Sequence, residues 1–143
     1  MANLFSKHTL ISLYFTFGLL GLKSILEFGL LYEPLAKLVF ETRSVIIGYL
    51  HLTFLGFISI FILTLYQIIG LLHESNKQVL YGIGIFIFGF IWNELVLFTL
   101  GLTEWLDKSY YFQNELLIGA SALLLIGIIL IWNSFRTSVY KAD

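Results

Sequence analysis

Apolar residues fill four long stretches of the chain, and polar residues gather between them. The first stretch runs from about His8 to Tyr32 and the second from Val45 to Leu72. The third runs from Val79 to Leu102 and the fourth from Leu116 to Phe135. Each reaches the roughly 20 residues that a helix needs to cross a bilayer. The fourth carries no charge. The second is long enough to tilt or to extend past the membrane. The pattern predicts an all-α, integral membrane four-helix bundle. Its helices run antiparallel, up-down-up-down, in one transmembrane domain over residues 1–143.

The connections hold the turn chemistry. Glu33-Pro34 ends the first helix, because proline disfavours helical geometry in the residue before it. The loop from Glu33 to Ser44 has room for a short interfacial turn. His73-Glu74-Ser75-Asn76-Lys77 reads as a tight connection. The third loop, Thr103 to Asn114, carries Trp105, Tyr110, Tyr111 and Phe112, as expected of an aromatic belt. At the start, Lys7 and His8 precede an apolar run from Leu10 to Leu22. No small-residue cleavage pattern follows, so this reads as a retained helix rather than a signal peptide.

Composition strengthens the membrane reading. Of 143 residues, 59% are hydrophobic and only 12% charged, where soluble domains average about 25% charged. The mean hydropathy is +0.92. The net charge of −1 gives no basic patch for nucleic acid. The absence of cysteine excludes disulfides, Cys-ligated zinc, iron–sulfur clusters and thiol catalysis. There is no phosphate loop, no nucleophile–base pair and no His-Glu-x-x-His motif, which weighs against an enzyme. Neither half has the proline-broken helix of many transporters.

Lys and Arg placement gives the orientation. Lys7, Lys77, Arg136 and Lys141 lie at one end, and Lys37, Arg43 and Lys108 at the other. The positive-inside rule then places both termini in the cytoplasm of a multi-pass protein in the cell (inner) membrane.

Charge inside hydrocarbon needs a reason, since each group costs roughly 2.5–3.5 kcal/mol at the centre. The first helix has Lys23 and Glu27, the second His51, the third Asn93 and Glu94. At about 1.5 Å per residue, Glu27 and Lys23 lie about 7 and about 13 Å from the first helix's outer end, and His51 and Glu94 about 10 and about 13 Å from theirs. All four fall in the outer leaflet, and Glu115 borders the same end. Ser12, Thr16, Lys23 and Glu27 share one stripe of the first helix. Ser44, Gly48, His51, Ser59 and Tyr66 share one of the second, and Glu115, Gly119, Ala122 and Asn133 one of the fourth. Small and polar stripes face bundle interiors. The expected result is an outer polar pocket of Lys23, Glu27, Arg43, His51, Asn93, Glu94 and Glu115.

Plainer readings compete. Lys23 and Glu27 are an i, i+4 pair that neutralises itself. His51 reads equally as a core histidine bonded to a carbonyl or to Glu94. Glu94 needs His51, Lys23 or Arg43 as its cation if it stays ionised. His8 and His73 read as interfacial, with a paired site at their shared level as the alternative.

The segment Arg43-Ser-Val-Ile-Ile-Gly-Tyr-Leu-His51-Leu-Thr-Phe-Leu-Gly-Phe57 resembles the His-x-His-x-x-x-Leu-Gly-Phe signature of heme–copper oxidase subunit I-like membrane proteins, including NnrS-like and small four-helix relatives. The likeness extends more loosely through Tyr66 and the stretch from Gly89 to Phe98. It implies a membrane helix whose histidines bind heme iron. Only His51 occupies a family histidine position, and Tyr49 stands where the first would be. A full catalytic centre needs several more histidines than the three in this chain. The resemblance therefore implies at most His51 as a heme or metal ligand, with Tyr49 or Glu94 orienting it or carrying a proton.

Three functions follow as expectations. The first is a small heme- or metal-binding membrane protein using His51, with two copies able to share one cofactor as a homo-oligomer. The second is an accessory subunit of a larger, respiratory-type membrane complex. The third is a proton or small-solute channel through the polar pocket.

Overall fold

The computed structural model describes residues 7–72, 76–106 and 112–139. All regular structure among them is helical. The first long helix is Lys7–Gly29, and a short helix, Glu33–Glu41, follows. The second long helix is Arg43–Ile68, the third Lys77–Trp105 and the fourth Gln113–Val139. All four long helices are apolar and long enough to cross a membrane.

Local chemistry sets their ends. The first helix stops at Gly29, earlier than its apolar pattern suggests, and Tyr32 N–H bonds back to the Gly29 carbonyl at 3.1 Å. Pro34 then occupies the first turn of the short helix, where its missing N–H leaves no bond unmade. The expected interfacial turn is thus a nine-residue helix. The second helix stops at Ile68 rather than Leu72. Gly70 takes a φ of 77°, a left-handed conformation suited to closing a helix. Asn76 caps the third helix by accepting from Gln78 N–H at 3.0 Å. Its amide also donates to Ser134 on the fourth helix at 2.5 Å.

The third helix is the centre of the molecule. In its most apolar stretch 39% is buried, against 22, 17 and 17% for the first, second and fourth. One core cluster joins Leu19, Leu52, Ile60, Phe86 and Phe90 from the first three long helices. A second joins Leu72, Val79, Ile83 and Ile131 near the Asn76 turn.

The third and fourth helices meet through small residues. A Cβ on Gly82 would stand 2.8 Å from Ile131, and one on Gly127 would stand 2.8 Å from the Phe86 backbone nitrogen. A Cβ on Gly89 would stand 3.0 Å from Leu123 Cβ and 3.1 Å from the Leu124 nitrogen. The fourth helix turns inward Ala120, Gly127 and Ser134, all buried and spaced by heptads. This corrects the expected stripe, since Glu115, Gly119, Ala122 and Asn133 are all exposed. Close backbone approach, not polarity, decides which face packs.

The second helix changes partner along its length. Its first part, Arg43–His51, packs on the third helix, and its last part, Ile60–Ile68, packs on the first. Between them Leu52–Ser59 is π-helical. Gly56 lies within this segment against the Phe90 ring, whose Cζ would be 2.5 Å from an added Cβ. Each π turn holds more residues than an α turn, so the inward face falls behind the 3.6-residue count. Tyr66, counted on the inward stripe, is 44% exposed, while Thr64 and Gln67 are buried instead.

Candidate functional site

A cleft of about 430 Å³ opens among the second, third and fourth long helices, at the end away from the Asn76 turn. Each helix contributes one stripe. The second gives Arg43, Ser44, Ile47 and His51. The third gives Asn93, Leu97, Leu100 and Glu104, at i, i+4, i+7 and i+11. The fourth gives Asn114, Leu117 and Ser121. Ile47, Leu97, Leu100 and Leu117 make the cleft amphipathic rather than wholly polar.

His51 is oriented by its own helix. Its Nδ1 lies 2.8 Å from the Ile47 carbonyl oxygen. A carbonyl only accepts, so Nδ1 donates to it, and Nε2 is the ring nitrogen that this bond leaves over. That nitrogen is the one left for a ligand.

Asn93 has the opposite need. It is only 4% exposed, and its Nδ2 has no hydrogen-bond partner. Buried amides are nearly always paired, so this donor is an exception with meaning. The next residue, Glu94, likewise has a buried oxygen, Oε1, without a partner. At the mouth, Ser44 Oγ donates to Glu104 Oε2, which fixes that carboxylate to the second helix.

The remaining expected pocket residues fall elsewhere. Lys23, Glu27 and Tyr49 form their own cluster between the first and second helices. Lys23 Nζ and the Tyr49 hydroxyl each donate to Glu27 Oε1 at 2.5 Å. The Lys23 ammonium also lies 5.5 Å from the Tyr49 ring centre. Tyr49 and His51 are two residues apart, about 200° around a helix, and so serve opposite faces. Glu94 is not among the residues that line the cleft, although Asn93 and Leu97 of the same helix are. It makes no ion pair among the described residues, and its Oε1 is buried without a partner. Glu115 is exposed, while Asn114 beside it lines the cleft.

The polar residues of the half away from Asn76 therefore split into two groups, with the second helix between them. Arg43, His51 and Asn93 meet in the cleft. Lys23, Glu27 and Tyr49 do not reach it. Glu104, Asn114 and Ser121 escaped sequence reasoning, although the i, i+4, i+7, i+11 stripe starting at Asn93 leads directly to Glu104. The opposite half holds more buried polarity than its sequence suggests. Thr9, Ser12 and Thr16 of the first helix, with Thr64 and Gln67 of the second, are buried there. Thr16 and Thr64 donate to carbonyls one turn back, at 2.7 and 2.8 Å.

Among the described residues, no group of three His, Cys, Asp or Glu side chains can hold a metal ion. His8 is exposed at its helix end, and His73, its suggested partner, lies outside the described residues. No family model, curated protein or solved structure matches this chain.

Proposed function

We propose that this chain is a multi-pass membrane protein that binds, rather than transforms, a small molecule in the cleft between its second, third and fourth helices. The observation that carries this is Asn93, a buried amide with an unpaired donor in a cleft that also holds His51. Leaving such a donor unpaired costs about 1–3 kcal/mol, which a ligand acceptor would recover.

The helices cross the bilayer up-down-up-down in this reading. Its support is the contact register: Gly48 meets Leu97 while Gly56 meets Phe90, and Gly82 meets Ile131 while Gly89 meets Leu123. Both termini then lie in the cytoplasm by the basic-residue balance, and the cleft opens in the outer leaflet.

Heme is the cofactor that the sequence resemblance implies, and the cleft's donor set is compatible with it. His51 Nε2 would bind it, Arg43 would meet a carboxylate of it, and Asn93 would donate a hydrogen bond near it. Bound there, it would supply a redox-active iron with one protein ligand. A visible spectrum of the purified protein with added heme tests this version, because a Soret band that His51→Ala removes is its signature. A channel has less support. Below Asn93 and His51 the interior is closed by Phe90, Leu52, Phe86 and Ile60.

The test of binding itself is native mass spectrometry of protein extracted from its own membranes. The wild type should carry a retained small-molecule mass that His51→Leu/Asn93→Leu loses. A bare chain in both samples would contradict the reading.

A further inference from the structure

We infer that the mouth of the cleft takes a zwitterionic phospholipid head, with the lipid phosphate at Arg43 and its ammonium at Glu104. This rests on the reading of the cleft as a binding site and names the chemistry that the site recognises.

The mouth holds one charge of each sign. Arg43 and Glu104 both line the cleft, and no ion pair joins them. They are nonetheless neighbours. Ser44, the residue after Arg43, donates to Glu104 Oε2, so the two charges flank one short stretch of the mouth. Both side chains are exposed there.

Each charge also stands at the unfavourable end of its helix. Arg43 opens the second helix, where the macrodipole favours an anion. Glu104 lies in the last turn of the third, where it favours a cation. A phosphate beside Arg43 and an ammonium beside Glu104 offset both penalties at once. A head of one sign is drawn by one of these residues and repelled by the other. A zwitterion in the matching direction is drawn by both. Arginine meets phosphate through two parallel N–H donors, and an ammonium brings its own donors to a carboxylate.

The rest of the cleft suits a lipid rather than a soluble zwitterion. Ile47 and Leu100 lie one turn deeper than Arg43 and Glu104, and Leu117 about one turn deeper than Asn114. The second and fourth helices each pack on the third, and the first packs on the second. The third helix therefore floors the cleft, and acyl chains can leave between its two walls toward the bilayer.

The experiment titrates three lipids with identical dioleoyl chains into the full chain in detergent and reads bound lipid by native mass spectrometry. Phosphatidylethanolamine carries both charges, phosphatidylglycerol only the anion, and trimethylammonium-propane only the cation. Phosphatidylethanolamine should bind about tenfold tighter than either of the others. Glu104→Gln should remove its advantage over phosphatidylglycerol, and Arg43→Gln its advantage over the cationic lipid. Equal binding of the three, tighter binding of a singly charged lipid, or a preference that survives both variants overturns the inference. The wild-type series decides this even if a variant fails to fold. Glycerophosphoethanolamine, the same head without chains, should compete about tenfold more weakly, and competition equal to the lipid's overturns the lipid assignment. If the inference falls, heme binding that His51→Leu removes still leaves the cleft a binding site. If nothing binds there, heme included, both readings fail.

Discussion

Gly82 and Gly127 face each other across the third and fourth long helices, each leaving space for the other's backbone. A Cβ on Gly82 would lie 3.1 Å from the Gly127 carbonyl oxygen, and a Cβ on Gly127 would lie 3.0 Å from the Gly82 carbonyl oxygen. Neither glycine has a side chain to hold the two backbones apart, so the helices pack at close range here. This packing also fixes the cleft, because the same two helices supply Asn93, Glu104 and Asn114.

Gly127→Val should therefore lower stability by about 1–3 kcal/mol, as overpacking does elsewhere. Gly119→Ala meets nothing within 4 Å and should be neutral or slightly stabilising. Thermal unfolding of both variants in one detergent checks the contrast. Equal loss in the two would refute the packing described.

The face assignments make a second prediction. Tyr49→Phe removes a hydroxyl bonded to Glu27 on the first-helix side, whereas His51→Leu alters the cleft. Ligand affinity should stay within about twofold in the first and fall about tenfold in the second, the range of one hydrogen bond. Equilibrium binding with the retained ligand measures both. A comparable loss in Tyr49→Phe would mean that the two residues act together.

Much of this arrangement is legible in the sequence, and the misses have physical causes. The four apolar stretches lead to the four long helices because bilayer-length hydrophobicity is a simple signal. The i, i+4 spacing of Lys23 and Glu27 gives their ion pair directly. His51 and Asn93 stand out as polar residues in apolar runs. The π-helical segment is another matter. Leu52–Ser59 is an ordinary apolar octet, and its wider turn is visible only where Gly56 meets Phe90. Counting 3.6 residues per turn through it selects Tyr66 in place of Thr64 and Gln67. On the fourth helix, following polarity selects Glu115, while the Ala120, Gly127 and Ser134 heptad selects the neighbouring face with Asn114 and Ser121.

The Lys23–Glu27 pair should behave as a unit. Lys23→Met leaves the Glu27 carboxylate without its cation, whereas Lys23→Met/Glu27→Gln removes both charges. The single variant should be less stable than the double one, because an unpaired charge in an apolar setting is worse than none. Unfolding temperatures of the two, measured side by side, test it. A double variant that is the less stable of the two would contradict it.

Glu94 carries a buried oxygen without a partner. Glu94→Met keeps much of the volume and removes the unsatisfied group, so it should raise stability by about 1–3 kcal/mol. A drop in unfolding temperature would show that Glu94 has a bonding role beyond these contacts.

Topology is open to a direct assay because the chain has no cysteine. Lys37→Cys should react with a membrane-impermeant maleimide on intact cells, and Lys77→Cys only after permeabilisation. The reverse pattern would invert the orientation, and equal labelling of both would remove the alternating crossings.

The most direct test of the cleft as a binding site is a high-resolution structure of the protein extracted with its native lipids. The account predicts one ordered molecule in the cleft, with a polar atom at hydrogen-bond distance from His51 Nε2. A cleft in which Asn93 Nδ2 bonds to another protein group, with ordered lipid only on the outer helix faces, would contradict it.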